Sequence, residues 1–437
     1  MWPPRSRPGC DDRRGRDVKV GGTIRVPGDK SISHRALILA AMSDGASTVR
    51  GILDSNDVRS TASVLRALGA DVPALAPEMR FAGVGLHGFH APGRDLDCGN
   101  SGTTTRLMAG VTAAQSFTSR FVGDESLSKR PMRRIIRPLE AMGARVHCER
   151  GDGLPMVVYG ARLRSVDWRT EVASAQVKGA ILLAGLAAEV PVSVGEPFLS
   201  RDHTERMLAA RGVTLRTTAD GAIALEPVRV LPAVDVEVPA DPSSAAFFAA
   251  LAAIADGGEL LLSDVCVNPT RTGFLQVLRR MGARVEVLEE TMRGGEPKGT
   301  LRVTAGVLQG TDITGGEVPS MVDEISLAAC VAVRAEGITR ITGAGELRVK
   351  ESDRIATVVG NLRALGVEAE ELPDGMVVHG TRAPLRGAVA THGDHRIAMA
   401  FGLLGATDGA SIEIDDRACV DVSFPGFWDR LARAIAP

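Results

Sequence analysis

The chain has 437 residues, 44% of them hydrophobic, enough for two or three domains with their own cores and no need of disulfide or metal staples. A net charge of −2 and 3% aromatic content supply neither a basic field nor a stacking surface for nucleic acid, nor a field for an anionic membrane, so any anion binding has to be local. No apolar run reaches the roughly 18 residues of a membrane span, and the six cysteines stand singly, without zinc-site spacing, as expected of reduced thiols in a cytoplasmic protein.

In chain order, residues 1–16 are rich in Arg and Pro but lack the apolar run of a signal peptide, and they are expected to be a disordered leader. Gly28-Asp29-Lys30-Ser31 then opens a helix rich in Ala, Leu and Met that runs through Arg35–Met42, and a second helix ends at Leu65–Gly69. Gly83-Val84-Gly85-Leu86-His87-Gly88 spells a dinucleotide fingerprint, but His90-Ala91-Pro92-Gly93 cannot open the helix that such a site needs. No phosphate-binding P-loop occurs either. Cys98, with nothing beside it to activate a thiolate, reads as a small buried hydrophobe.

The pattern of Leu65–Gly69 returns at Leu139–Gly143, Leu208–Gly212, Leu278–Gly282 and Leu362–Gly366, and Leu431 falls where a sixth copy would. Each predicts a helix closed by a C-terminal glycine and leading toward a strand. Apolar helices recur upstream, as at Ile181–Ala188 and Ile397–Leu404, and acidic-Gly turns follow several of them, at Asp44-Gly45, Asp256-Gly257, Glu336-Gly337 and Asp408-Gly409. A repeat near 70 residues, six units long, therefore organises the chain as an α/β protein of two lobes with three units each.

Each upstream helix is preceded by small polar residues: Gly28–Ser31, Asn100–Thr104, Ser174–Gln176, Asp241–Ser244, Pro319–Asp323 and Gly393–Arg396. Such starts cap free backbone N–H groups, and six of them facing one cleft would form an anion site. Lys30, Arg35, Arg106, Gln176, Lys178, Asp323, His395 and Arg396 serve no capping purpose there, and Lys129, Arg130, Arg201, Arg271, Arg348, Lys350 and Arg354 add charge in connecting segments. Guanidinium forks and ammonium groups suit phosphate and carboxylate ligands. Asp323 and Glu351, acids among cations, are expected to stay ionised, and a lysine crowded by cations to lose its proton readily, which fits them for proton transfer.

These residues resemble the 5-enolpyruvylshikimate-3-phosphate synthase family. The resemblance runs from about Gly22 to Phe427, through Pro27–Arg35, Gly99–Thr103, Lys129–Met132, Lys350–Arg354 and Asp394–Arg396. Gly28-Asp29-Lys30, Ser174–Lys178, Arg201–Glu205 and Asn268–Arg271 look like the family's class II branch, usually the less sensitive to glyphosate. The resemblance implies a two-lobed enolpyruvyl transferase fold, each lobe three βαβαββ-type repeats, with 17–27 plus 241–437 as lobe one and 28–240 as lobe two. It implies transfer of the enolpyruvyl group of phosphoenolpyruvate to the 5-hydroxyl of shikimate 3-phosphate, by a monomer needing no metal or cofactor.

By the same resemblance, Lys30, Ser31, Arg35, Ser174, Gln176, Arg201, Asp323 and Lys350 contact shikimate 3-phosphate. Lys30, Gly102, Arg130, Gln176, Arg354 and Arg396 contact phosphoenolpyruvate, and Lys30, Asp323 and Glu351 share the proton transfers. Three positions depart from many class I members: Ala175 stands for a serine, Glu346 for an asparagine and Val422 for a lysine. Two other readings remain. The sister transferase acting on UDP-N-acetylglucosamine typically carries a loop cysteine, which Asp124–Pro131 lacks, and a non-catalytic sensor of a phosphorylated metabolite could dispense with an acid that is present here.

Overall fold

The computed structural model describes residues 18–407 and 410–435; the expected leader and the Asp408-Gly409 turn lie outside the described residues. Among the described residues there are thirteen α-helices, and twelve of them fall into six pairs along the chain. The thirteenth is a single turn, Glu125–Ser128.

The first helix of each pair is apolar nearly all round and is buried accordingly. Lys30–Met42 has eleven buried residues of thirteen, and Pro242–Ile254 has twelve of thirteen. These inner helices are Lys30–Met42, Gly102–Ala113 and Ala175–Ala187 in one lobe, and Pro242–Ile254, Ile325–Ala332 and His395–Leu404 in the other. Within a lobe they pack closely: a Cβ on Gly110 would stand 2.3 Å from the Ala180 carbonyl oxygen. The second helices are one-sided, as in Arg133–Ala141, where only Ile135, Pro138 and Leu139 are buried. Five of them end on the repeat glycines 69, 143, 212, 282 and 366, every one at positive φ, so the periodic Leu-to-Gly signal marks real left-handed helix stops.

Each unit carries its own small sheet. In the second, Leu96–Asp97 runs parallel to Thr118–Val122, which pairs antiparallel with Met156–Tyr159, and that with Arg145–Cys148. The third and fifth repeat the same order around Val192–Gly195 and Ile338–Ile341. The first and fourth units borrow their parallel strand. Ala46–Arg50 pairs with Val236–Glu237 from the far end of its lobe, and Gly257–Cys266 pairs with Lys19–Val20 and Thr23–Ile24 from the chain's beginning.

Two apolar cores result. One collects Val20, Val26 and buried residues from Ala240 to Ala434. The other runs from Ile32 to Val238 and adds Cys266. The chain passes between them twice, side by side: Asp29 N–H donates to the Pro239 carbonyl at 2.8 Å, and Asp241 N–H to the Pro27 carbonyl at 2.8 Å. No helix among the described residues is long and apolar enough to cross a membrane.

Candidate active site

A cleft of about 470 Å³ lies between the two lobes. Five of the six polar helix starts line it, through Lys30 and Ser31, Gly102 and Thr103, Ser174 to Val177, Val322 and Asp323, and His395 and Arg396. The fourth start departs from expectation. Asp241–Ser244 lies at the double crossing, where Asp241 accepts from the N–H groups of Ser243 (2.7 Å), Ser244 (3.3 Å) and Lys30 (3.0 Å).

Side-chain caps hold five of these starts: Asp29, Ser101, Ser174, Asp241 and Asp394 each accept from an N–H in the first turn. The start before Ile325–Ala332 has none. Its Asp323 sits in a 3-10 turn and turns to the cleft, where Oδ2 meets Arg201 Nη2 at 2.5 Å and Arg396 Nη2 at 3.6 Å, and Oδ1 lies 3.7 Å from Arg354 Nη1. Burial favours protonation of Asp323, but Arg396, Arg201, Lys350 and Arg354 outweigh it and hold the carboxyl well below the ordinary carboxylate range.

Glu351 reaches Arg354 at 2.6 Å and Arg130, from the other lobe, at 3.5 Å. Burial again works against ionisation, and Arg354, Arg130, His395 and Lys30 overcome it to push the Glu351 carboxyl well down. Lys350, between these acids, makes no hydrogen bond or ion pair among the described residues. Burial lowers its ammonium below the ordinary lysine value, and Asp323 and Glu351 only partly restore it. Lys30 faces the cleft with Nζ 3.2 Å from Asp57, an acid in the first turn of Asn56–Ala67.

The remaining expected contacts fall around this centre. Ser31 Oγ lies 3.5 Å from Arg201 Nη1, and Arg35, nearly buried, donates to Thr204 and to the carbonyls of Ser31 and Ala175. Arg106 donates to the Gln176 Oε1 at 2.5 Å, which aims the amide nitrogen at Thr103 Oγ at 2.9 Å. A Cβ on Gly102 would sit 2.8 Å from Arg106 Nη1 and 3.7 Å from Arg130 Nη1, so glycine leaves both arginines room. Arg354 is not a lining residue. It lies beneath the floor, 1% exposed, clamped by Asp394 and Glu351, with Nη1 lacking a hydrogen-bond partner.

Several cations leave the anion-binding set. Lys178, at 1% exposure, pairs with Glu196 at 2.9 Å and Glu205 at 2.7 Å and does not line the cleft. Arg348 ties Asp353 to Glu371, and Lys129 makes an exposed pair with Glu125. Val422 does not line the cleft, whereas Glu346 does and pairs across it with Arg134 at 2.8 Å. Asp57 and Arg134 were not foreseen: each sits on an ordinary amphipathic helix, and only the fold brings it to the site. His395 belongs to the polar start Gly393–Arg396 but is not among the contacts that the resemblance implies. It lines the cleft with Nε2 buried and unpartnered. Cys98 is buried, and burial pushes its thiol up to about 12.

Comparison with known proteins gives a consistent result. The model of the EPSP synthase (3-phosphoshikimate 1-carboxyvinyltransferase) family matches residues 16–431. A 3-phosphoshikimate 1-carboxyvinyltransferase of Sulfurihydrogenibium sp. (strain YO3AOP1) is 46% identical over 419 residues, 95% of this chain and 97% of that one. One from Xanthomonas euvesicatoria pv. vesicatoria (strain 85-10) is 47% identical over 420 residues, 96% and 95% of the two chains. A solved EPSP synthase from Acinetobacter baumannii superposes with a TM-score of 0.85 at 40% identity, covering 96% of each chain.

Proposed function

The chain belongs to the EPSP synthase family, and from that premise we propose how its own residues divide the work of the reaction. That reaction carries the enolpyruvyl group of phosphoenolpyruvate to the 5-hydroxyl of shikimate 3-phosphate and releases phosphate, on the shikimate pathway to the aromatic amino acids. The enzyme is thus a 3-phosphoshikimate 1-carboxyvinyltransferase rather than a UDP-sugar transferase or a sensor.

Lys350, Asp323 and Arg201 hold shikimate 3-phosphate, with Ser31, Arg35, Ser174, Gln176 and Lys30. Lys30, Arg130 and Arg396 hold the phosphate and carboxylate of phosphoenolpyruvate, with Gln176 and the space above Gly102, and Arg354 adds its charge from beneath the floor. In the addition step the hydroxyl oxygen bonds to C2 of phosphoenolpyruvate, its proton passes to a basic group of the site, and C3 gains a proton to become a methyl. In the elimination step the C2–O bond to phosphate breaks, inorganic phosphate leaves, and the C3 methyl gives up one proton to a basic group of the site as the double bond re-forms. Lys30, Asp323 and Glu351 share these transfers.

The observation that carries this reading is the pair of ionised acids, Asp323 and Glu351, each bonded to an arginine of the opposite lobe. Electrostatic groups fixed before reaction stabilise charge as it develops, without reorganising. The two separate cores and the borrowed strands support lobes of 17–27 plus 241–437 and 28–240. The same reading takes the protein as a cytoplasmic monomer without nucleic-acid partners. Purified protein given both substrates is expected to release inorganic phosphate without added metal or nucleotide. No release at saturating substrate overturns the reading.

A further inference from the structure

Two of the sequence signatures, Arg201–Glu205 and Asn268–Arg271, belong to opposite lobes and have no common part in the chemistry above beyond Arg201. The fold brings them together at the double crossing. Asn268 Nδ2 donates to Asp202 Oδ1 at 2.7 Å and to Glu296 at 3.1 Å, and Thr270 Oγ lies 3.3 Å from Asp202 Oδ1. His203 bridges Glu296 through Nδ1 at 2.8 Å and Arg271 through Nε2 at 3.2 Å. Because the guanidinium can only donate, Nε2 accepts, and the ring proton sits on Nδ1.

Arg271 is the centre of this buried group. It gives Nη1 to Asp29 Oδ2 at 2.7 Å, and Nη2 to Asp241 Oδ1 at 3.4 Å and Ser243 Oγ at 2.9 Å. Each carboxylate spends its other oxygen on the helix that begins at Lys30. Asp241 Oδ2 accepts the Lys30 N–H at 3.0 Å, and Asp29 Oδ1 accepts the Ile32 N–H at 2.7 Å. One planar fork in lobe one thereby fixes the backbone of a cleft residue in lobe two. Arg201 is held similarly, since it adjoins the Asp202 that Asn268 and Thr270 grip.

We propose that the Asn268–Arg271 turn is a positioning element of the active site: Arg271 sets Lys30 through Asp29 and Asp241, and Asn268 sets Arg201 through Asp202. The inference rests on Lys30 and Arg201 being substrate contacts. A merely structural cluster would stabilise the crossing without coupling to either residue. A positioning element loses its effect once the group it positions is gone.

The test is a pair of double-mutant cycles read by calorimetric titration of shikimate 3-phosphate, which needs no turnover. Arg271→Lys keeps the charge but not the two-carboxylate fork, and is expected to weaken binding by about 10-fold. Added to Lys30→Met, it should cost less than about twofold beyond Lys30→Met alone. In the second cycle, Asn268→Ala should weaken binding in the natural protein but not in Arg201→Met, and this arm decides if Arg271→Lys does not fold. Additive losses, or wild-type affinity in Arg271→Lys and Asn268→Ala, overturn the proposal. Unweakened binding in Lys30→Met instead overturns the contact role of Lys30, leaving the Arg201 cycle to decide on positioning.

Discussion

Arg201 and Asp323 meet across the cleft from opposite lobes, Nη2 to Oδ2 at 2.5 Å, and Arg201 also lies within reach of Ser31. A guanidinium in this position can exchange one anionic partner for another as substrate enters. Asp323 keeps Arg396 and Arg354 when it does so. Arg201→Gln is therefore expected to raise the KM for shikimate 3-phosphate by about 10- to 100-fold, the worth of a charge-assisted hydrogen bond. The KM for phosphoenolpyruvate should move little. Steady-state kinetics with each substrate varied in turn checks this, and an equal rise in both would place Arg201 on shared ground.

Glu351 pairs through one oxygen with Arg130 of the cleft and through the other with Arg354 beneath it and is ionised, and a glutamine of the same shape keeps the contact with Arg354 while losing the basicity. Glu351→Gln should lower kcat by about 100-fold or more while both KM values stay within a few-fold, since a proton-transfer group acts mainly in the transition state. An unchanged kcat would reduce Glu351 to a counter-ion for Arg354 and Arg130.

Among the described residues, three ion pairs join the lobes over the cleft: Arg201 with Asp323, Arg130 with Glu351 and Arg134 with Glu346. The last is the most exposed, at 41% and 34%, and so the most open to screening. Without substrates, the radius of gyration from small-angle scattering is expected to be larger at about 1 M salt than at low salt, because the Debye length has shrunk to about 3 Å. Adding both substrates should reverse the difference. Identical curves in all conditions would mean that these pairs do not govern closure.

Much of this arrangement was legible in the sequence because the repeat writes the same local chemistry six times. The five left-handed glycines and the capped helix starts are local events, fixed by a few adjacent residues, and they fall where the periodicity places them. What could not be read locally is which way a start faces. Asp241 and Asp323 occupy equivalent starts, yet Asp241 caps its helix at the crossing and Asp323 leaves its helix uncapped to serve the cleft. Lys178 stands two residues from Gln176 on one helix and points the other way, into two buried glutamates. Asp57 and Arg134 carry no signal at all, since their role depends on partners 27 and 212 residues distant.

Two of the buried histidines, His34 and His395, contribute to the protein's acid sensitivity. Burial lowers His34 to about 3, with Asp57 opposing and Lys30 and Arg35 assisting. Burial likewise lowers His395 to about 4, against the pull of Asp394. Both are neutral when folded and take up a proton near 6.5 when unfolded, so the unfolded chain binds more protons as pH falls below that value. Their contribution to stability is full above pH 6.5 and is lost toward the folded values, at roughly 1.4 kcal/mol per pH unit for each histidine. Asp29, lowered to about 2, loses its own contribution only below its unfolded value of 3.8. Buried Glu205 and Glu324 are raised and act in the opposite sense, so a difference between two proteins isolates the histidine better than an absolute slope. His34→Asn retains a side-chain amide to meet Thr61 Oγ, the partner of His34 Nδ1 at 2.7 Å, but cannot titrate. Urea unfolding followed from pH 6.5 to about 4.5 should show a slope against pH smaller in the variant by about 1.4 kcal/mol per unit. Equal slopes would mean that His34 is already protonated in the folded protein, and that Asp57 rather than burial controls it.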